Sequence, residues 1–264
     1  MPALKPIGTI TRGTTNPNRL RRVDRYAAFL LEPVLRRDSD RLVVDLGYGA
    51  TGATPAEMHA RLRAVGPRVR TLGLEIDPAR VAAAQPWAGE GLSFARGGFE
   101  LPVPDPPVLV RAYNVLRQYD EAQVPGAWAR LTAGLAPDGA LIEGTCDEIG
   151  RTCVFAVLSA GAARPATLTI SVKTDVIAAP SQVADRLPKA LIHRNVPGEP
   201  VHDWLAQLDR AWASAAGIGS LSPRQRWRAM CAALRAAGEP VLHGPARWRL
   251  GEVTVPWERV APRG

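Results

Sequence analysis

Two carboxylates and a glycine-rich turn are the residues of this sequence best suited to hold a ligand. Asp45 ends a short apolar run, and Gly47, Gly49 and Gly52 follow it. Glycine adopts a positive φ without steric cost, so these glycines let the backbone turn sharply and approach a ligand closely. Glu75 comes one predicted helix and one predicted strand later. A carboxylate so near the turn disfavours a pyrophosphate and suits a cationic ligand.

A predicted strand–turn–helix–strand unit positions these groups. Residues 42–44 are apolar and β-branched, which predicts a buried strand. Thr54 is predicted as the N-cap of the helix, and Glu57 closes a capping box. Residues 69–74 predict a second strand, with Glu75 at its tip. Ligands of such sheets bind beyond the carboxyl ends of the strands, where these glycines and acids gather.

Two classes of cofactor fit this unit. Gly47 to Gly52 matches G-x-G-x-x-G, and Glu75 lies where a ribose-binding acid is expected, which would suit an NAD-dependent oxidoreductase. The stretches V-D-L-G-Y-G and L-G-L-E-I-D-P instead resemble the class I S-adenosylmethionine-dependent methyltransferases. In that family the glycine turn lies under the methionine and ribose part of the cofactor, and the acid ending the second strand holds both ribose hydroxyls.

The resemblance continues downstream. Residues 98–102 are similar to the family's Gly-Asp-Ala-x-x-Leu-Pro, residues 114–116 to Asn-Val-Leu-His-His, and residues 135–142 to Leu-x-Pro-Gly-Gly-x-Leu. The resemblance implies S-adenosylmethionine as cofactor. The cofactor-binding residues it implies are Asp45, Gly47, Tyr48, Gly49, Glu75, Ile76, Phe99, Glu100 and Asn114.

Three residues are candidates for the acceptor side. Asn114 and Tyr119 lie just beyond the predicted fourth strand, where the family presents groups to substrate and methyl. A capping asparagine and a packed tyrosine would explain them equally well. Glu143, in the predicted fifth strand, could act as a base or bind a cationic substrate. Arg111 lies inside the fourth strand and needs a partner if buried, and Glu143 or Glu75 is the expected one.

The sequence departs from the family at three points. Its glycine turn is one residue longer. Gly98 stands where an acid usually holds the adenine amino group, with Glu100 as the nearest substitute. Arg117 and Gln118 replace the two histidines. The interpretations that follow are a methyltransferase, with a small-molecule acceptor favoured over RNA, a SAM-binding scaffold without catalysis, or an oxidoreductase.

The predicted fold class is α/β, with a doubly wound, mostly parallel sheet and a helical C-terminal elaboration. The predicted parts are a basic N-terminal arm and helix (1–40), a cofactor-binding core (41–150), and strands and helices that complete the sheet or cover the site (151–264). Beyond residue 150, the patterns predict a hairpin (152–159 and 166–174), three helices (181–192, 201–216 and 223–237) and a second hairpin (247–250 and 253–257). Ser222 is predicted as the N-cap of the last helix, and the tryptophan stripes of the last two helices are expected to be core.

Charge leaves a role for RNA open. The formal net charge is +8, and residues 1–41 carry nine Lys or Arg against four Asp or Glu. The basic arm could therefore contact RNA. However, only three of the 33 basic residues are lysine, a bias more typical of coding composition than of selection for phosphate contacts.

The few cysteines and the short apolar runs favour a cytoplasmic protein. No run approaches the roughly 18 apolar residues that a membrane span requires. The three cysteines are widely spaced, which favours neither a disulfide framework nor a zinc site. The four histidines show no metal-binding spacing, so no metal is expected. The sequence does not indicate an oligomeric state.

Overall fold

The computed structural model describes residues 6–220 and 222–263. Its strands are Arg41–Leu46 (β1), Val69–Glu75 (β2), Leu92–Arg96 (β3), Leu109–Tyr113 (β4), Ala140–Cys146 (β5), Thr152–Ser159 (β6), Thr167–Val172 (β7) and Glu252–Pro256 (β8). They form one sheet in the order β3-β2-β1-β4-β5-β6-β7-β8. Its α-helices are Arg21–Leu35 (α1), Ala53–Arg63 (α2), Pro78–Ala84 (α3), Val124–Ala133 (α4), Lys189–Ile192 (α5), Pro200–Ser214 (α6), Pro223–Ala236 (α7) and Pro245–Trp248 (α8).

Backbone contacts divide the chain into two units. Unit 1 comprises the described residues of Met1–Glu143 together with Glu148–Gly150 and Val157–Arg164. Unit 2 comprises Gly144–Asp147, Arg151–Ala156 and the described residues of Pro165–Gly264.

The first strands of unit 1 run parallel. β1 pairs with β2 on one side and with β4 on the other, and β2 pairs with β3. The chain thus moves outward from β1 to β3 and returns to β4 across β1. Because crossovers between parallel strands are right-handed, the reversal places the connecting helices on opposite faces. The predicted doubly wound, mostly parallel α/β fold is confirmed, and its switch point lies between β1 and β4.

Helix α2 begins differently from the prediction. Its N-cap is Gly52, and the hydroxyl of Thr54 donates a hydrogen bond to Asp45 Oδ2 at 3.0 Å. Glu57 accepts hydrogen bonds from the Asn18 amide and from Arg61 instead of closing a capping box. The predicted cap was wrong because a buried carboxylate on β1 takes the threonine hydroxyl.

Arg111 is fully buried in β4, and its expected partner was also wrong. Its guanidinium donates to Asp45 through Nε at 3.0 Å and through Nη2 at 2.5 Å, and Nη1 donates to Asp24 on α1. Although burial opposes its charge, these two carboxylates raise the pKa of Arg111. Arg61 on α2 also donates to Asp24, at 2.6 Å. We call these four side chains the ion network, and it joins β1, β4, α1 and α2.

Unit 2 contains the predicted tryptophan-rich helices. In α7, the Ser222 side chain accepts a hydrogen bond from the Gln225 amide at 3.1 Å, as the cap signal predicts. The apolar faces of α6 and α7 are buried, which confirms their core role, and they carry Trp204, Leu208, Trp212, Trp227, Met230, Cys231 and Leu234. The rings of Trp212 and Trp227 meet edge to face, with centroids 6.1 Å apart.

Two elements of unit 2 differ from the prediction. The helix expected over 181–192 is a 3-10 segment, Pro180–Arg186, followed by the short α5. Pro188 separates them, since proline lacks an amide hydrogen and disfavours helix at the residue before it. Residues 245–248 form α8, so the second hairpin was wrong. β8 pairs with β7 in antiparallel fashion instead.

Candidate functional site

Unit 1 has a small, partly open cavity at the carboxyl ends of its parallel strands, with about 20 Å³ of space for a water-sized sphere. Its walls come from segments that follow four strands: Gly47 after β1, Glu75 at the end of β2, Phe99 after β3, and Val115 and Tyr119 after β4. This is the switch-point position at which doubly wound sheets bind ligands. Predicted ligand residues from four separate sequence motifs therefore meet here.

Glu75 is the acid at the centre of this wall. Its carboxylate is 2% exposed, and Oε2 accepts a hydrogen bond from the Gly49 amide at 3.1 Å. Oε1 accepts one from the Ile76 amide at 2.9 Å. Arg80 lies 3.6 Å from Oε2. Main-chain donors thus hold a buried carboxylate against the cavity with its charge only partly compensated.

The glycine turn is shaped by close contacts. Gly47 and Gly49 have φ of +69° and +90°, the left-handed region that favours glycine. A Cβ on Gly47 would lie 2.7 Å from Val115 Cγ2. Gly52 differs from both, because its φ is −72° and a Cβ there would meet the Trp87 ring at 2.7 Å. The third glycine of the motif therefore serves packing.

The segment after β3 presents a donor beside an acceptor. Glu100 folds back so that Oε1 accepts a hydrogen bond from the Gly98 amide at 2.8 Å. Its Oε2 accepts one from the Ile7 amide at 2.7 Å, and the Phe99 amide donates to the Ile7 carbonyl at 2.9 Å. We call Phe99 N–H and Glu100 Oε2 the reading pair.

Asp45 and Tyr48 lie apart from the cavity. The described residues that line it include neither of them. Both carboxylate oxygens of Asp45 are engaged by Arg111. The Tyr48 ring packs edge to face on Phe94 at 5.4 Å, and burial with the nearby Glu75 and Asp45 carboxylates raises the pKa of its hydroxyl. Asp45 thus joins β1 to β4 and α2, and Tyr48 packs against β3.

The three acceptor-side candidates are separated. Tyr119 lines the cavity, and its ring packs against Phe99 at 5.3 Å. Asn114 has a φ of +58°, the left-handed conformation that asparagine tolerates, which fits its predicted role in a turn. Glu143 is fully buried in β5, and the described cavity wall contains neither Asn114 nor Glu143. Burial raises the pKa of Glu143 to about 8, and Trp128 opposes that rise.

Sequence reasoning missed Thr9 and Thr11, which also line the cavity. The Thr9 amide donates a hydrogen bond to Tyr119 Oη at 2.6 Å, across 110 residues of sequence. No local pattern encodes a contact at that separation. The glycines at 8 and 13, both with positive φ, are the nearest signal that this segment has a defined path.

Neither metal nor membrane features accompany the site. Within residues 6–220 and 222–263, no group of three or more metal-ligating side chains lies close enough to hold an ion. In the same residues, no helix has the length and apolar character needed to span a bilayer.

Comparisons with known proteins found structural similarity alone. No protein-family model and no curated protein matches the chain. Solved structures that match include the CMeT domain of the citrinin polyketide synthase, with 20% identity over 46% of this chain and 34% of that chain, at a TM-score of 0.39. Human N-acetylserotonin methyltransferase, in complex with SAM, matches with 22% identity over 47% and 33%, at a TM-score of 0.36.

A third match is magnesium protoporphyrin IX methyltransferase from Synechocystis PCC 6803 with bound SAH. It has 22% identity over 48% of this chain and 55% of that chain, at a TM-score of 0.37. The chain spans roughly a third of the length of the first solved structures it matches. With all three TM-scores below 0.5, the functional argument comes from the site itself.

Proposed function

We propose that unit 1 binds S-adenosylmethionine and transfers its methyl group to a small-molecule acceptor. The observation that carries the proposal is the Glu75 carboxylate, buried at the tip of β2 and facing a cavity at the switch point. A carboxylate there can accept hydrogen bonds from two vicinal hydroxyls of a ribose. Its negative charge and that of Glu100 suit a cationic sulfonium ligand better than a pyrophosphate.

The polar groups around the cavity fit the rest of this cofactor. The reading pair offers one N–H donor and one carboxylate acceptor to a single neighbouring group. The edge of an adenine carries the complement, a ring-nitrogen acceptor beside an amino donor. Glu100 would thus replace the acid that the sequence lacks at Gly98. The residues that would hold the cofactor are Gly47, Gly49, Glu75, Ile76, Phe99 and Glu100.

Positioning would account for the catalysis. When bound, S-adenosylmethionine supplies an electrophilic methyl group on a sulfonium sulfur. The protein needs to hold the acceptor atom in line with that group, a contribution of proximity and orientation that requires no dedicated base. Tyr119, which follows β4 and lines the cavity, is the residue proposed to orient the acceptor. Asn114 and Glu143 are given no part, because the described cavity wall includes neither of them.

Two observations favour a small molecule over RNA. The cavity is a recess lined mostly by apolar atoms of unit 1, as small-molecule sites usually are. In the basic arm, Arg19 donates to the Thr14 carbonyl and Arg21 to the carbonyls of Asn18 and Ile149, so both cations are engaged within unit 1. RNA binding through this arm would instead show an affinity that falls steeply with salt. The number and spacing of the cysteines favour a cytoplasmic location.

Calorimetric titration tests the proposal. Wild type, Glu75→Ala and Glu90→Ala are titrated with SAM, S-adenosylhomocysteine (SAH) and NAD(H). Glu90 is the matched control, since its side chain is 89% exposed in a surface ion pair with Arg63. We expect wild type and Glu90→Ala to bind both adenosyl ligands and Glu75→Ala to lose them.

The other outcomes separate the alternatives. Binding of NAD(H) in place of SAH would identify an oxidoreductase site and overturn the proposal. Binding of SAM without methyl transfer to any of a panel of small hydroxyl, amine and carbon acids would identify a scaffold. Retention of full SAH affinity in Glu75→Ala would show that the ligand does not use this carboxylate.

A further inference from the structure

Residues 7–15, which we call the strap, form neither helix nor strand and run beside the cavity, where Thr9 and Thr11 line the wall. The main chain of the strap is tied at several points to the segments after β3 and β4. Besides the bonds of Ile7 to the reading pair, the Thr9 amide donates to Tyr119 Oη at 2.6 Å and the Arg12 amide to Gln118 Oε1 at 3.0 Å.

The strap is also tied to the glycine turn and to α3. The Gly13 carbonyl accepts a hydrogen bond from the Ala50 amide at 2.9 Å, and Arg80 donates to the Thr11 carbonyl at 2.7 Å. The side chain of Thr15 donates to the Tyr48 carbonyl at 2.8 Å. The strap is therefore docked along its length, by groups from every segment that forms the predicted ligand site.

The site glycines fit around the strap. A Cβ on Gly49 would lie 2.6 Å from the Gly13 carbonyl oxygen, and a Cβ on Gly98 would overlap the Ile7 carbonyl oxygen. These glycines permit close backbone approach, as the sequence predicts, but the approaching group in this structure is the chain itself. Gly98, the departure from the family pattern, is the position that the strap requires to be glycine.

The strap occupies the hydrogen-bonding groups that a nucleoside would use. Ile7 presents a carbonyl acceptor and an amide donor, and these occupy the Phe99 amide and the Glu100 carboxylate. With the strap docked, the remaining cavity has about 20 Å³ of space for a water-sized sphere, which is room for about one water molecule and too little for a nucleoside. Thr9 and Thr11 fill part of its wall. A ligand that uses the reading pair must displace Ile7.

We infer that the strap competes with the cofactor. The main-chain N–H and C=O of Ile7 occupy the nucleoside end of the site until the cofactor displaces them. The inference rests on the proposed function, because it takes an adenosyl ligand as the competitor. Competition changes the measured affinity. The apparent dissociation constant for the cofactor equals the intrinsic constant divided by the fraction of molecules whose strap is undocked.

A substitution at Gly8 tests this in the full chain. Gly8 has a φ of +135°, and a Cβ there would lie 2.7 Å from Ile76 Cδ1 and 2.8 Å from Tyr119 Oη. Gly8→Val therefore prevents docking and leaves the residues proposed to hold the cofactor unchanged. Gly161→Val is the control, since Gly161 also has a positive φ, +69°, but nothing within 4 Å of a Cβ.

Titration with SAH gives the first readout. We expect Gly8→Val to bind SAH at least about tenfold more tightly than wild type, as holds if the strap is docked in about nine molecules of ten. Gly161→Val should bind as wild type does. Equal affinity in wild type and Gly8→Val would overturn the strap inference while leaving the proposed function standing. Absence of SAH binding in all three proteins would overturn both.

Tryptic cleavage of wild type after Arg12 gives the second readout, because Arg12 lies exposed within the strap. Proteolysis follows the population of the open form, so a strap displaced by SAH is cut faster. We expect saturating SAH to accelerate cleavage of the Arg12–Gly13 bond at least about threefold. Slower cleavage with SAH, together with weaker binding by Gly8→Val, would show a lid that closes over the ligand and would overturn competition.

Discussion

Two neighbouring strands of unit 1 each carry a buried carboxylate near the carboxyl end, and these two carboxylates have different partners. Asp45, near the end of β1, is 1% exposed and has both oxygens engaged by Arg111. Glu75, at the end of β2, is 2% exposed and is held by main-chain amides beside a cavity. A fully buried cation engages both oxygens of the first, whereas the second has the partly exposed Arg80 at 3.6 Å and is proposed to receive a ligand. Burial alone therefore does not distinguish the two acids; their partners do.

The largest effect should come from removing Arg111, the fully buried cation of the ion network. Arg111→Met leaves Asp45 and Asp24 buried without their main partner, so we expect the free energy of unfolding to fall by about 3–5 kcal/mol. Urea denaturation measures it. Arg36→Met breaks only the exposed pair with Glu32 and should cost about 0.5 kcal/mol or less. Equal losses in the two variants would refute a structural role for Arg111.

Glu143 is a third buried carboxyl group to compare with Asp45 and Glu75, and burial raises its pKa. Its pKa of about 8, against a usual 4.5, means that the folded state binds more protons than the unfolded state between those values. Its contribution to stability is therefore complete below pH 4.5 and is lost as pH rises towards 8, by about 1.4 kcal/mol per pH unit. Glu143→Gln should flatten that decline in urea denaturation between pH 5 and about 8. An unchanged slope would show that Glu143 is ionised in the folded protein.

Glu75→Gln tests the ligand-facing member of the comparison. The amide keeps the shape but loses charged acceptors, each worth about 1.5–3 kcal/mol, so SAH affinity should fall about tenfold to a hundredfold. Stability should fall less than in Arg111→Met, because the amide oxygen can still accept from the main-chain donors on one side, whereas Arg111→Met leaves two buried carboxylates without their main cation. Calorimetry measures the affinity for SAH, and urea denaturation measures the free energy of unfolding. A stability loss as large as that of Arg111→Met would erase the distinction between the two acids.

Asp45→Asn should have the smallest effect on the ligand. Since Arg111 already holds both oxygens of Asp45, we expect SAH affinity within about threefold of wild type, while unfolding becomes easier. Titration at a temperature where the variant is folded measures this. A drop as large as that of Glu75→Gln would return Asp45 to the cofactor site, as the family resemblance implies.

The sequence predicted the fold well because the fold depends on local patterns. Apolar β-branched runs marked β1, β2 and β4, and the Ser222 cap marked α7. Errors arose where a distant partner decided the outcome. Thr54 bonds Asp45 instead of capping its helix, and Pro188 divides a segment whose composition favours a helix.

The candidate site was predicted in part for the same reason. Spacing at the strand ends predicted Gly47 and Glu75, and the family resemblance implied Phe99; all three line the cavity. The assignments of Asp45 and Tyr48 depended on side-chain partners that spacing does not reveal. Thr9 entered the site through contacts formed over about a hundred residues, which no periodicity encodes.

The strap is synthesised well before the groups to which it docks. Ile7 and Thr9 are synthesised 93 and 110 residues before the groups that hold them. During translation the glycine turn and Glu75 emerge well before Tyr119, so the strap has no complete docking surface while the first strands are being made. Non-local contacts of this span form late, because the loop they close must be ordered first. A nascent chain thus exposes the candidate binding residues before the strap can dock over them.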